Sequence, residues 1–247
     1  MRLRLCSALV LLAAAPEAAR AADWYTGSPT NQASRPTAAF DLSLSGTSQS
    51  SVHGVAIGTF SPYGTLDQSG LRLRVAATLG TFTYTATTKG VGQVRGDQAI
   101  GTFLVGHEWV MPNMTAAIWG GLDIWRNALD KIDPNNKTEG TAFGFKAGAD
   151  LYVNPTSYTM ASANLTFSSA HQSYYSRFKV GMAVSQNVFI GPELVALGDS
   201  FSQQWRAGAH LSGFKVGPLQ FGLAGGYMND RVRGSGGYGT FDTRILF

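Results

Sequence analysis

The sequence predicts an all-β chain: a single transmembrane antiparallel β-barrel of about twelve strands, preceded by a cleaved signal peptide. Three observations carry that prediction. Charged residues make up only 14% of the 247 residues, against about 25% in an average soluble domain. Yet no apolar run after residue 22 reaches the roughly 18 residues a membrane helix needs. Finally, segment after segment alternates apolar with polar residues, the period of a strand with two unlike faces. The 30 glycines and 11% aromatics agree with strands and turns rather than helices.

Residues 1–21 read as the signal peptide. Arg2 and Arg4 precede the short apolar core Leu5–Ala15, Pro16 breaks it, and Ala19-Arg20-Ala21 supplies the small-x-small cleavage pattern. The single cysteine, Cys6, falls inside this segment, so disulfides, thiolate catalysis and cysteine-bound metals are excluded from the chain that follows. Setting aside three arginines and one glutamate of the signal leaves 16 basic against 14 acidic residues. That balance is too even to argue for nucleic acid, and no RNA-binding or zinc-finger pattern accompanies it. Residues 22–37, rich in Ser, Thr and Pro, read as a periplasmic arm or lumen strap, and residues 38–247 as the barrel.

Strands are expected near 38–47, 52–61, 69–86, 97–111, 114–127, 140–153, 157–168, 173–185, 187–197, 203–214, 218–228 and 237–247, although ten or fourteen strands also fit the softer splits. In the third, Leu71, Leu73, Val75, Ala77 and Leu79 oppose Arg72 and Arg74. In the sixth, Phe143, Phe145 and Leu151 oppose Lys146 and Asp150. In the eighth, Phe178, Val180 and Met182 oppose Arg177 and Lys179; in the ninth, Ile190 and Leu194 oppose Glu193. The tenth sets Trp205 and Leu211 against Arg206 and His210, and the last sets Phe241, Ile245 and Phe247 against Asp242 and Arg244. Large apolar groups fall on one parity and charge with glycine on the other, the apolar-out, polar-in code of a membrane barrel. A secreted β-sandwich also alternates, but it would show more Lys and Glu outside and no need for aromatics at strand ends, such as Trp109, Trp125, Tyr152, Tyr174, Trp205 and Tyr227. Connections alternate short and long, with 62–68 the one long member of the short set, as expected when both termini are periplasmic. The terminal Phe247 resembles the signal by which outer-membrane proteins engage the barrel-assembly machinery, with outer-membrane lipids as the surrounding solvent.

The inward parity gathers Asp41, Arg72, Arg74, Asp123, Lys146, Asp150, Arg177, Lys179, Glu193, Arg206, His210, Asp242 and Arg244: seven cations, five carboxylates and one histidine, with Glu108 unassigned. Such groups must be hydrated or paired. They form either a mixed ion-pair network that stiffens the wall or a selectivity surface for a polar or weakly anionic solute. Trp119, Trp125, Tyr158 and Tyr175 share that parity and are candidates for stacking on sugar faces, or for filling the lumen.

Catalytic patterns are thin, and no enzymatic activity or cofactor is expected. His107-Glu108 lacks the second histidine of a zinc-protease helix, and the four histidines give no metal spacing. No Gly-x-Ser-x-Gly elbow or phosphate loop occurs. Glu193 and His210, on neighbouring strands, are a candidate acid/base pair whose alternative is a lumen hydrogen bond. His171-Gln172-Ser173 resembles the His-x-Ser pair of outer-membrane lipid A deacylases over three residues only.

Asp23-Trp24-Tyr25-Thr26-Gly27, Ser69-Gly70-Leu71-Arg72-Leu73-Arg74, Gly191-Pro192-Glu193, Gly198-Asp199, Arg206-Ala207-Gly208-Ala209-His210 and Ala224-Gly225-Gly226 follow one another in order and spacing along the chain. Together they resemble the cellulose biosynthesis protein BcsS family of alphaproteobacteria. The resemblance implies a bacterial outer-membrane accessory of cellulose biosynthesis, in secretion or surface retention of the glucan, with cellulose or cello-oligosaccharide and cellulose synthase components as partners. It implies no catalytic residues. A general small porin or structural barrel, and a lipid-modifying enzyme using His171 and Ser173, are the alternatives.

Overall fold

The computed structural model describes residues 35–247; the signal-peptide reading of 1–21, and the arm up to residue 34, fall outside the described residues. Twelve strands follow in order: β1 (Ala38–Thr47), β2 (Ser51–Phe60), β3 (Gly70–Thr85), β4 (Gln93–Met111), β5 (Met114–Leu129), β6 (Gly140–Thr156), β7 (Thr159–Ser168), β8 (Ser173–Ser185), β9 (Val188–Gly198), β10 (Gln203–Val216), β11 (Leu219–Asp230) and β12 (Gly234–Leu246). Each pairs antiparallel with its chain neighbours. β12 returns to β1 from Ala39 opposite Leu246 to Thr47 opposite Tyr238, closing the barrel. Closure satisfies every edge within the wall, which hydrocarbon requires because it offers no hydrogen bonds. The strands agree with those predicted by alternation, their ends moving by four residues at most.

Connections on the face that carries the described chain ends are two-residue turns at 112–113, 157–158, 186–187 and 217–218, with 61–69 the long exception. The opposite face, the loop face, carries 86–92 and 130–139 among its connections. Register shifts lie between Val153 and Thr156, Ala183 and Ser185, and Ser212 and Phe214, all beside turns of the terminal face. At the last, Gly213 takes φ +91°, a left-handed conformation open to glycine at no steric cost.

The outer wall is apolar on every strand, with Phe143, Phe145, Phe178, Val180, Met182 and Leu194 each between 44% and 78% exposed. Exposure of that kind around a whole wall demands lipid. Trp205 and Tyr227 pack 5.5 Å apart on the outside near the loop face, and Trp109 lies outside near the terminal face. Of the strand-end aromatics, Tyr152 lies inside rather than in the belt, and Trp125 lies inside, in keeping with its inward parity. Trp125 shares the parity of Asp123, and Tyr152 that of Asp150; their exposures are 9% and 0%.

Candidate functional site: a floored lumen cavity

The inward parity is occupied as the alternation predicts. Twelve of the thirteen inward groups are buried, and Lys146 is half-buried. Glu108 joins them at 8% exposure, making six carboxylates against seven cations. They form pairs across the lumen. Arg74 meets Asp150 at 3.0 Å, Lys146 meets Asp123 at 3.8 Å, Arg72 meets Glu108 at 3.3 Å and Arg244 meets Asp41 at 3.5 Å. Arg177 bridges Glu193 at 2.7 Å and Asp242 at 2.9 Å, while Lys179 lies 3.9 and 3.7 Å from the same two carboxylates. Burial removes the screening that makes surface pairs weak, so each partner is needed to hold the other in the wall.

Glycine makes room for the large side chains that cross the lumen. A Cβ at Gly106 would collide with the Ile118 carbonyl and the Trp119 ring. The bare backbone therefore lets Trp119 lie against β4, where its Nε1 donates to Asp150 Oδ2 at 2.7 Å and Arg74 stacks 3.7 Å over its ring. At Gly208 a Cβ would stand 2.7 Å from the Tyr238 hydroxyl. Tyr238 thus reaches from β12 over Gly226 and Gly208, which pair in register, and donates to Glu193 Oε1 at 3.1 Å.

Below this layer the lumen is filled. Trp119, Tyr152, Met160, Phe189 and His210 are each 4% exposed or less, and Tyr152, Met160 and Phe189 form one packed cluster. Nearer the terminal face, loop 61–69 is pinned by Arg72, which donates to Ser61 Oγ at 3.1 Å and to the carbonyls of Thr65 and Gln68. Leu66 is buried there, and its N–H donates to the Pro36 carbonyl at 2.7 Å.

Above the layer lies a cavity of about 350 Å³. Lining residues in the half of their strand nearer the loop face include Ser43 and Ser45 on β1, Trp125 and Asn127 on β5, Tyr174 and Tyr175 on β8, and Gln204 and Arg206 on β10. Phe201, Val232 and Arg233 reach it from the loops. An aromatic collar surrounds its upper part. Phe82 and Tyr84 stack with centroids 6.3 Å apart, Tyr84 meets Phe201 edge-on at 5.1 Å, and Arg233 lies 5.7 Å over Phe82. Loop 130–139 braces this collar, because Tyr84 Oη and Thr88 Oγ1 donate to Asp133 at 3.0 and 2.9 Å. Burial alone would push the Asp133 carboxyl up, but donation from Thr88, the Asn135 backbone N–H and Tyr84 outweighs it and holds the group below its ordinary value.

The four stacking candidates separate. Trp125 and Tyr175 line the cavity. Trp119 is locked into the floor by Asp150 and Arg74. Tyr158 lies in the β6–β7 turn at 72% exposure, outside the lumen, because the wide turn ends the strand before its parity applies. Glu193 and His210 are not hydrogen-bonded to each other. His210 faces Ser212 Oγ at 2.9 Å and the Val180 carbonyl at 3.1 Å, since the register sets Glu193 opposite Gly208 and His210 opposite Gly191. His171, in the short 3-10 turn Ala170–Gln172 with φ +53°, packs edge-on to Trp125 at 5.9 Å. No hydrogen bond joins it to the buried Ser173. Sequence reasoning missed Phe82, Tyr84 and Phe201, which carry no charge to mark them and converge only in the closed barrel.

Residues 43–247 match the family model described as cellulose biosynthesis protein BcsS. A comparison with curated proteins finds no match. In architecture the chain is similar to the KdgM porin (7% identity, TM-score 0.45, covering 85% of this chain and 99% of the porin). It is also similar to the β-domain of the Bordetella autotransporter BrkA (13%, 0.37, 86% and 99%) and to CdiB from Acinetobacter baumannii (9%, 0.36, 89% and 61%).

Proposed function

Because the chain belongs to the cellulose biosynthesis protein BcsS family, we propose that it is a non-enzymatic outer-membrane accessory of cellulose production that holds the glucan at the cell surface. The observation that carries this reading is the floor. Trp119, Tyr152, Met160, Phe189 and the ion pairs occupy the cross-section below the cavity, so a polymer cannot thread the lumen from end to end. Porins place short turns in the periplasm and long loops outside; by that rule the cavity opens outward. Its volume lies within the range of small-ligand sites, and it combines hydroxyl and amide groups with Trp125, Tyr175 and the Phe82–Tyr84–Phe201 collar. Apolar ring faces and short polar side chains together suit a sugar chain, whose own faces are apolar and whose edges carry hydroxyls. The cellulose synthase machinery is the partner this reading implies on the periplasmic side.

Deletion of the gene tests it. Cellulase-sensitive polymer should fall at the surface and rise in the medium, with total synthesis unchanged. Polymer accumulating in the periplasm would instead make the barrel a conduit, and an unchanged distribution would remove the glucan role. The purified barrel in planar bilayers should conduct little; a large steady conductance would make it a porin. An altered lipid A profile in the deletion strain would point to lipid chemistry at His171 and Ser173.

A further inference from the structure

Of the cations that line the cavity, one has no carboxylate beside it, while Asp230 pairs with Arg233, and Asp199, also in the lining, accepts the N–H groups of Phe201 and Ser202. Six carboxylates of the wall (Asp41, Glu108, Asp123, Asp150, Glu193 and Asp242) are taken up by six cations in the pairs described above. The seventh cation is Arg206. It is 8% exposed, and among the described residues no carboxylate lies within 4 Å of it. Its Nε donates to Gln204 Oε1 at 2.7 Å and one Nη to Ser45 Oγ at 2.8 Å. Its guanidinium lies 5.3 Å over the Tyr238 ring. These neutral contacts orient the group, and the Glu193 carboxylate acts on it only from beyond salt-bridge distance. A guanidinium has five N–H donors in a planar fork, and the remainder have no acceptor within the wall. Arg206 also lines the cavity.

The neighbouring wall brings a second guanidinium, itself paired with Glu193 and Asp242. In register, Arg206 stands opposite Val195, and Val195 opposite Arg177 on β8. The two guanidinia therefore share a level, with the apolar Val195 between them. Arg177 lines the same cavity, and its Nη2 is buried without a hydrogen-bond partner. The Arg206 fork, lining an enclosed space with no carboxylate beside it, makes a built receptor for an anion.

We infer that Arg206 is the anion subsite of the cavity, and that the ligand is an acidic saccharide whose carboxylate or phosphate group meets this guanidinium while its rings meet Tyr175 and the collar. The saccharide part rests on the retention reading; the anion part rests on the neutral surroundings of Arg206 alone. Neutral glucan fills the space but leaves the charge uncompensated, so an acidic substituent adds a charge-assisted, geometrically forked contact.

The test uses the full barrel in detergent micelles, followed by Trp fluorescence and calorimetry with two probes: cellohexaose, and cellohexaose oxidised to carboxylate at C6. The oxidised chain should bind about tenfold more tightly than the neutral one, and the difference should shrink as salt rises. Arg206→Gln should bring the ratio of the two affinities to about one, Arg206→Lys should keep part of it, and Arg126→Gln, on the exposed outer wall, should keep all of it. Heat-modifiable migration on a gel confirms that each variant is folded. Equal affinities in the wild type, or a preference that survives Arg206→Gln, overturns the subsite while leaving glucan retention standing. Binding of the oxidised chain alone supports the subsite and overturns retention of neutral glucan. Binding of neither overturns both.

Discussion

At Glu193 one side chain meets three lumen partners: Arg177 at 2.7 Å, Lys179 at 3.9 Å and the Tyr238 hydroxyl at 3.1 Å. Removing one partner of a buried pair leaves uncompensated charge, which costs about 3–5 kcal/mol. Glu193→Ala should therefore lower unfolding stability by about that amount, measured by urea titration of the folded-barrel band. By contrast, Arg95 and Asp97 are 3.8 Å apart with both side chains 64% exposed, where solvent screening limits a pair to about 0–1 kcal/mol. Arg95→Ala should then change stability by less than about 1 kcal/mol. Equal losses in the two variants would mean that the lumen pairs are hydrated and contribute no more than surface ones. The parity of Glu193 is readable in the chain, since Ile190 and Leu194 face outward around it. Its bond to Tyr238 is not, because that residue lies 45 positions away on β12 and reaches Glu193 across Gly226 and Gly208 of the two strands between.

Loop 61–69 is the one long connection on the terminal face, and Arg72 holds it through Ser61, Thr65 and Gln68 while pairing with Glu108. The length of this loop stands out in the sequence, but its inward fold does not, since Tyr63 and Leu66 look alike there. In the structure Leu66 is 7% exposed and Tyr63 79%. Arg72→Ala should release the loop, so that chymotrypsin cuts beside Leu66 at least several-fold faster than in the parent barrel. Unchanged cleavage would show that the Leu66–Pro36 backbone bond alone keeps the loop in place. Similar reasoning explains why the sequence suggests a belt position for Tyr152, and for Trp125 beside its inward parity. Nearness to a strand end suggests an interface, yet the pleat had already turned both toward the lumen, where their parity neighbours Asp123 and Asp150 point.

Across the whole molecule the wall separates two solvents. Leu194, in the middle of β9, is 57% exposed on the outside, while Glu193 beside it is 1% exposed within. A cation placed on the lipid face near the midplane of a barrel costs about 2–4 kcal/mol. Leu194→Arg should destabilise the barrel by that amount in lipid vesicles, read from urea unfolding; a neutral effect would mean that this stretch of wall is covered by protein or lies at the interface. The same separation gives the cavity its direction, since the strands of the β3–β6 side run 16–19 residues and carry the Tyr84 collar on the loop face.

The sequence by itself determined the alternating strands, their short and long connections, and the inward parity of thirteen lumen groups, because a period of two is a local property that each strand writes into its own residues. It also carried the resemblance to the family, through short motifs taken together. Only the tertiary structure decided that the lumen is floored, that Trp119 lies flat on Gly106 and Tyr238 across Gly208, and that six of seven lumen cations find carboxylates while Arg206 does not. Those are contacts across the barrel, between residues whose separation along the chain says nothing of their separation in space. They follow from register and closure, which join distant strands at one level of the wall.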